Sequence, residues 1–232
     1  MEVETKRRPT RATKARQQPG PKQRRLRSTP EKSSPEKDPT LPTSERIYVA
    51  AARLFMEKGF DGTSMSEIAA EVGITKAGLY HFIDNKEDLL FTLMSFGMDT
   101  FSRQVVDPAR QISDPLERIR VIVRNHLQNI GSPTSRRMMI VTIARETTAL
   151  TEAHRNIING RKAEYYRLIR DTLGELRERG DLQDGIDLAV AAHTIVGMIV
   201  WMPEWRRLDG RLSFDEVSEQ ITRFALSGLL KR

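Results

Sequence analysis

The sequence predicts an all-α protein of about nine helices, from two observations: apolar periodicity and capping signals. From Thr43 onward, apolar residues recur at intervals of three and four, which places them along one face of a helix. No window alternates apolar and polar residues for long enough to predict a β-strand. Capping residues followed three positions later by Glu, and glycines after apolar stripes, divide the pattern into separate helices.

The first two helices follow from an apolar stripe and a capping box. The stripe ends before Gly59 and consists of Ile47, Ala51, Leu54 and Phe55. Ser64 and Glu67 then have the spacing of a capping box, in which each side chain satisfies a backbone N–H of the other residue. They begin a short second helix, and Gly73 turns the chain after it.

Two further helices complete the N-terminal part. Thr75 can cap a third helix that extends to about Phe82, whose ring we expect in the core. Asn85 begins a longer fourth helix toward Val105. A short capped helix, a glycine turn and a second short helix are typical of the helix-turn-helix, which places its second helix in the major groove of DNA. An ordinary helical subdomain would carry the same caps and turns.

The C-terminal part is predicted to contain five helices. Asp114, Pro115 and Glu117 supply a cap, a proline at the first helical position and an acidic first turn, so a helix extends from there to about Ile130. The other four are predicted from the same periodicity at about 135–148, 151–179, 187–208 and 213–230.

The excess positive charge lies entirely at the N-terminus. Residues 1–42 hold 12 of the 38 basic and five of the 31 acidic residues, a net of +7, and the remaining residues hold 26 of each. Seven of the 11 prolines lie there too, with few large apolar side chains, so we expect a disordered basic tail. It is either a solvated tail, a wrongly assigned start of the chain, or an arm that contacts DNA.

The composition excludes several classes of protein. The absence of cysteine excludes disulfides and thiolate metal sites and fits a cytoplasmic location. The N-terminus lacks the apolar core of a secretory signal, and the run Leu188–Met202 is too short to span a bilayer comfortably. The four histidines show no metal-ligand spacing, and no G-x-S-x-G motif or phosphate-binding glycine loop is present. We expect a soluble non-enzyme with no membrane contact, no cofactor and no metal.

The segment from Ile47 to Leu90 closely resembles the N-terminal domain of TetR-family repressors. The match includes, in order and without gaps, the pattern AA..LF...GF..TS, the pattern IA...G and the ending LYHF...KEDLL. The resemblance implies a helix-turn-helix DNA-binding domain at residues 43–90 and a ligand-binding and dimerisation domain at residues 91–232. It also implies a homodimer in which two recognition helices contact a palindromic double-stranded DNA operator.

The resemblance further assigns DNA contacts by position. Phosphate contacts fall on Thr63 and Ser64 at the second helix and on Lys86 at the start of the fourth. The positions of the recognition helix are Thr75, Lys76, Ala77, Gly78, Tyr80 and His81. Residues 43–92 nevertheless contain five basic and eight acidic residues, a net of −3, so we expect the basic tail to supplement the attraction to phosphate.

The C-terminal segment that begins GMIVWMPEW resembles a TetR-like subgroup, several members of which respond to acyl-CoA thioesters or related acyl ligands. The implied effector is a small hydrophobic molecule such as an acyl-CoA or a fatty acid. Its candidate contacts, each of which has a competing interpretation as a core or surface residue, are Phe101, Val105, His126, Met139, Ile143, Tyr166, Met198, Trp201, Trp205 and Arg206. In this family the last two helices pair with those of a second chain, and the candidate interface residues are Ala191, Ile195, Ile199, Val217, Ile221 and Phe224.

The expected function is a ligand-responsive transcriptional repressor that an effector releases from its operator. Three alternatives stay open at this point: a TetR-like activator, a weakly specific nucleic-acid binder that depends on the basic tail, and an enzyme whose pocket lies in the helical domain. The absence of a recognisable catalytic set argues against the enzyme.

Overall fold

A computed structural model of the chain describes residues 41–131, 145–207 and 210–231. The predicted basic tail therefore lies almost wholly outside the described residues, as do most of the predicted helix at 135–148 and two candidate ligand contacts, Met139 and Ile143.

The described ranges contain nine α-helices. They are α1 (Thr43–Lys58), α2 (Met65–Val72), α3 (Lys76–Leu79), α4 (Lys86–Phe101), α5 (Asp107–Arg110), α6 (Pro115–Gly131), α7 (Glu152–Glu178), α8 (Leu188–Trp205) and α9 (Phe214–Leu229). A π-helical turn, Ser102–Val106, joins α4 to α5, and a 3₁₀ turn, Arg145–Ala149, precedes α7. The described residues form no strand apart from an isolated bridge between Leu182 and Leu230. The all-α fold class is confirmed.

The third helix is shorter than the sequence predicted. It ends at Leu79, and the chain continues in tight turns, in which the N–H of His81 donates to the carbonyl of Gly78 and that of Phe82 to the carbonyl of Leu79. The turns rotate Phe82 away from the interior, and its side chain is 49% exposed. The expectation that Phe82 lies in the core is therefore wrong.

Buried apolar side chains form two separate cores. The first core is built from α1, α2, Leu79 of α3 and the first half of α4, and it is completed by Leu150 and Ile158 from the region of α7. The second core is built from the π-helical turn, α6, the rest of α7, α8 and α9. A helix stripe buried in this way is the main source of stability in helical proteins, since short helices are marginal alone.

Two helices contribute to both cores. In α4, Leu89, Leu90, Leu93 and Met94 belong to the first core, and Phe101 at its other end packs against the second. In α7, Ile158 belongs to the first core, and Tyr165 and the helix beyond it belong to the second. A displacement of α4 or α7 in one core is therefore transmitted to the other core, because densely packed interiors do not deform continuously.

Four of the six predicted interface residues lie in the second core of a single chain. Ala191, Ile195, Ile199 and Val217 are at most 7% exposed within the protomer. A side chain that is covered by its own chain has little surface left to bury against a second one. Their assignment to a dimer interface stays a prediction that this burial disfavours, although Ala191 and Ile195 line an open groove beside the 73% exposed Phe224.

Helix α8 is the one described helix that is long and apolar enough to cross a membrane. Six of its side chains pack inside the protomer: Ala191, Ala192, Ile195, Val196, Ile199 and Met202. This burial accounts for one face of the helix, whereas Val190, Trp201 and Trp205 are exposed.

Two glycines give a matched test of backbone conformation. Gly73 ends α2 with a φ of +77°, and Gly160 lies exposed within α7; a Cβ at either position would meet nothing within 4 Å. The substitution G73A should lower the free energy of unfolding by about 1–2 kcal/mol, because an L-residue is strained at positive φ. G160A should raise it by about 0.5–1 kcal/mol, because alanine loses less entropy in a helix. Urea denaturation at one protomer concentration measures both, and effects of the same sign would contradict this account.

Candidate functional site

The start of α2 is fixed by the predicted capping box. The Oγ of Ser64 accepts from the backbone N–H of Glu67 at 3.2 Å, and the Glu67 carboxylate accepts from the N–H of Ser64 at 2.8 Å. The same carboxylate also pairs with Lys58 at the end of α1, with an Nζ to Oε1 distance of 2.7 Å. The Lys58 ammonium, together with the two bonds from Ser64, lowers the pKa of Glu67 to about 2.

The turn from α2 to α3 is equally well specified. Gly73 adopts the left-handed conformation, and the N–H groups of Gly73 and Ile74 donate back to the last carbonyls of α2. Thr75 then caps α3, since its Oγ1 accepts from the N–H of Gly78 at 2.9 Å. Leu79, which is fully buried, anchors this short helix in the first core.

The opposite side of α3 and the turns after it are open to solvent. The residues exposed there are Thr75, Lys76, Ala77, Tyr80, His81 and Phe82, and Gly78 is half-buried among them. All six positions that the resemblance assigned to the recognition helix are thus on or beside one accessible surface. Phe82 joins this surface, which sequence reasoning missed because it extended the helix through residue 82.

The structure contradicts the phosphate contact predicted for the hydroxyl of Thr63. This side chain is 1% exposed, and its Oγ1 donates to the carbonyl of Leu54 at 3.1 Å or of Gly59 at 2.9 Å. The hydroxyl therefore closes the loop between α1 and α2 and is not available to a phosphate. Ser64, the second predicted phosphate contact, is exposed.

Lys86 is already engaged within the protein. Its Nζ donates to the carbonyls of Phe60 at 2.8 Å and Thr63 at 3.0 Å, and it lies 4.1 Å from the centroid of the Phe60 ring. Two of its three N–H donors thus tie the start of α4 to the loop between α1 and α2, and one N–H is left for a phosphate.

The basic side chains of this region are mostly engaged within the protein. Arg46 donates to the carbonyl of Val72, Arg53 pairs with Glu57 and Glu71, and Lys58 pairs with Glu67. With Lys86 bound to carbonyls, Lys76 is the only basic residue of 43–92 without an ion pair or hydrogen bond in the part of the chain that is described. A basic side chain with no bond inside the domain therefore lies at the start of α3.

A buried polar cluster lies in the second core. The Nδ1 of His126 on α6 is 2.9 Å from the hydroxyl of Tyr165 on α7, and the ring of Phe101 meets both rings edge-on at 4.9 and 4.8 Å. Burial lowers the pKa of His126 to about 3 and raises the pKa of Tyr165, so both side chains are neutral at pH 7.

The predicted ligand residues divide between this cluster and other places. Phe101 and His126 belong to it, together with Tyr165, which the sequence analysis passed over in favour of its neighbour Tyr166. Tyr166 instead stacks on His193 of α8, with ring centroids 4.4 Å apart. Val105 is fully buried in the second core.

A small cavity of about 200 Å³ borders the cluster. It lies between the end of α4 and the middle of α7, and its lining residues are Met98, Asp99, Phe101, Ser102, Val106, Arg161, Glu164 and Tyr165.

The remaining predicted ligand residues lie near α9. Met198, Trp201 and Trp205 of α8 line an open groove of about 910 Å³ together with Ile221 and Phe224 of α9. Trp201 is 65% exposed, so the sequence prediction of a ligand contact there competes with an interface role. The guanidinium of Arg206 lies 5.4 Å from the centroid of the Phe214 ring.

The fold also brings together three polar groups that are distant in the sequence. Glu87 and Asp88 at the start of α4 meet His154 at the start of α7, and each offers an oxygen or nitrogen atom within 4.8 Å of the others. Spacing along the chain gave no sign of this group because Asp88 and His154 lie 66 positions apart.

Comparisons with known proteins match both parts of the chain. A family model described as bacterial regulatory proteins, tetR family, matches residues 47–93, and one described as tetracyclin repressor-like, C-terminal domain, matches residues 113–229. The structure of AibR in complex with isovaleryl coenzyme A and operator DNA is 36% identical, with a TM-score of 0.71, over 82% of this chain and 98% of that one.

Two other relatives span most of the chain. The TetR family transcriptional regulator PfmR from Thermus thermophilus is 26% identical, with a TM-score of 0.69, over 81% of this chain and all 100% of its own. The fatty acid metabolism regulator protein of Bacillus subtilis (strain 168) is 22% identical over 192 residues, which are 81% of this chain and 96% of the relative.

The lowered pKa of Glu67 predicts a specific pH dependence. Because its folded pKa of about 2 lies below the unfolded value of 4.5, the carboxylate stabilises the fold above pH 4.5, and this contribution is lost as the pH falls toward 2. The substitution E67Q removes the titrating group and keeps an acceptor for the N–H of Ser64. The urea midpoint of E67Q should therefore fall less than that of the parent between pH 5 and pH 3, and an equal fall would contradict the assignment.

Proposed function

The chain belongs to the TetR family of bacterial regulatory proteins, and from that premise we propose that it is a ligand-responsive transcriptional repressor. In this proposal a homodimer binds a palindromic operator and releases it when an acyl effector binds. The observation that carries the proposal is the surface of α3, which is capped, anchored by Leu79 and open to solvent on its other side.

We assign contacts with the bases and phosphates of the major groove to this surface. Thr75 and Lys76 lie at the N-terminus of α3, where backbone N–H groups and a free ammonium meet. Ala77 and Gly78 add little bulk, so the backbone comes close to the base edges. Tyr80 and His81 extend the surface, and Ser64 and the last N–H of Lys86 contact phosphates beside it.

We infer an acyl-CoA or a fatty acid as the effector. AibR was solved with isovaleryl coenzyme A and operator DNA, and another relative is named as a regulator of fatty acid metabolism. The second core of this chain supports a ligand with an apolar body and a few polar atoms, since it holds the neutral pair of His126 and Tyr165 among apolar side chains.

We propose that the dimer forms through the exposed sides of α8 and α9. Large apolar side chains are concentrated there, and the most exposed are Val190, Trp201, Trp205 and Phe224. A contiguous apolar surface of this kind marks an interface in a soluble protein. The pairing of two helices from each chain gives a four-helix seam and two-fold symmetry, which a palindrome requires.

We further propose that the protein acts on bacterial DNA in the cytoplasm, in a regulatory role without catalysis. Sequence-specific DNA binding is tested by selection of binding sites from random duplex DNA. The full chain should enrich a palindrome, and its complex with that site should resist random competitor by a factor of about 10³ or more.

The variant K76A should weaken binding to the selected site and reduce the salt slope by about 0.9, because one phosphate contact is lost. R103A, on an exposed part of the π-helical turn, is the matched control for the loss of one positive charge. Fluorescence anisotropy at several salt concentrations measures both. No enriched site would contradict a sequence-specific regulator, and an unchanged slope in K76A would remove Lys76 from the contact surface.

The basic tail gives a second prediction. Because residues 43–92 carry a net charge of −3 and residues 1–42 a net charge of +7, deletion of residues 1–40 should weaken operator binding and flatten its salt dependence. If the chain without residues 1–40 binds the operator with the same salt dependence as the full chain, the tail does not contact DNA.

A further inference from the structure

The carboxylate of Glu87 lies between the N-termini of two helices. Glu87 occupies the first turn of α4, and its Oε1 accepts from the backbone N–H of Thr151, the capping residue of α7, at 2.7 Å. The N-terminal end of a helix carries a partial positive charge, so one carboxylate here stabilises the starts of both helices. The pKa of Glu87 is lowered, because the bonds from Thr151 and His154 outweigh the effect of desolvation.

His154 completes the contact from the side of α7. Its Nδ1 lies 3.0 and 3.1 Å from the two carboxylate oxygens of Glu87, so this nitrogen carries the proton and donates it. Its ring stacks on Phe91, one turn further along α4, with centroids 3.8 Å apart and planes 4° from parallel. Glu87 and His154 are 18% and 26% exposed, so water screens their interaction only in part.

The chain that leads into α7 is held to the same place. Arg155 donates to the carbonyls of Thr147 at 3.1 Å and Leu150 at 2.7 Å, which fixes the approach to the first turn of α7. Leu150 and Ile158, on either side of His154, are buried in the first core. The start of α7 is therefore packed against the part of the molecule that carries α3.

We propose that Glu87 is a positioning residue for DNA recognition: by capping α7 it holds the first core, and α3 with it, at a fixed angle to the second core. Glu87 follows α3 by only a few residues, and α4 and α7 are the helices that both cores share. Loss of the carboxylate leaves the N–H of Thr151 and the proton of His154 without their acceptor. The starts of α4 and α7 are then joined by apolar packing, with the ion pair of Asp99 and Arg161 further along, so the first core turns more freely relative to the second.

This inference rests on the proposed function, since it takes the protein as a dimer that contacts DNA through α3 and is released by an effector. A fixed angle transmits a change in the second core to α3, and a loose one does not. In the variant E87A, operator affinity should therefore respond less to the effector than in the parent.

The first test needs neither operator nor effector. The chain contains no cysteine, so M56C on α1, at an exposed position, gives one spin label per protomer and one distance between the two DNA-binding domains of a dimer. E87A should broaden the distribution of this distance. E87Q should broaden it less, because the amide keeps an acceptor oxygen. H154F should also broaden it, although it preserves an aromatic ring against Phe91. E57A, which breaks an ion pair within α1, is the control and should match the parent.

The second test uses the selected operator with isovaleryl coenzyme A as the probe. Couplings of this kind change affinity by about 5- to 150-fold. The ratio of the operator dissociation constants with and without isovaleryl coenzyme A should fall toward one in E87A and remain at the parent value in E57A. An unfolding midpoint for E87A well above the assay temperature excludes general unfolding.

The outcomes separate the two proposals. A parent chain that selects no site, or whose affinity does not respond to the probe, contradicts the proposed function or its effector, and the distance measurement still tests Glu87. A distance distribution in E87A as narrow as that of the parent overturns the positioning role, whatever the DNA measurements show.

Discussion

The position of α3 depends on the burial of one side chain, Leu79, in the first core. A helix of four residues has no stability of its own, because the first turn fixes several residues for a single hydrogen bond. The capping box of α2, the left-handed glycine, the Thr75 cap and the two carbonyl bonds of Lys86 all hold this helix against the core. Every exposed side chain that we assign to DNA contact is placed by that arrangement.

The same core extends beyond the N-terminal segment. Leu150 and Ile158 complete it, although they are separated in sequence from the other members by more than 50 residues. The DNA-binding part is consequently not an independent unit on a flexible linker. It shares α4 and α7 with the second core, and this shared packing gives a physical route from an effector in the second core to the angle of α3.

The charges of the first core serve its structure more than its contact with DNA. Arg46, Arg53, Lys58 and Lys86 are bonded within the protein, which fixes α1, α2 and α4 relative to one another. Among the basic residues of 43–92 in the described structure, Lys76 makes no bond within the protein and Lys86 keeps one N–H, so these two are left for DNA. Residues 43–92 carry a net charge of −3, and from this division we infer that dimerisation and the basic tail contribute to the affinity for DNA.

Local signals predicted the local features well. The capping box at Ser64, the turn at Gly73 and the cap at Thr75 depend on residues within three or four positions, and the structure contains all three.

Long-range packing could not be predicted from the sequence. Helical periodicity identified Ala191, Ile195 and Ile199 as one apolar face but did not reveal that this face is covered by the same chain. Thr63 was misassigned although its acceptors lie only nine and four positions away, because the resemblance assigned its role by position and did not reveal its burial. The pairs of Glu87 with His154 and of His126 with Tyr165 join helices distant in sequence and left no pattern in it.

The central claim is that an effector changes the angle of the two α3 helices within an intact dimer. Sedimentation velocity with a fluorescent operator, with and without an acyl-CoA, tests it most directly. The account predicts that the effector frees the operator while the protein continues to sediment as a dimer, because the ligand binds the released state more tightly and leaves the α8–α9 seam in place. Release of the operator with dissociation of the dimer into protomers would contradict it, and so would an effector that binds and leaves the operator complex unchanged.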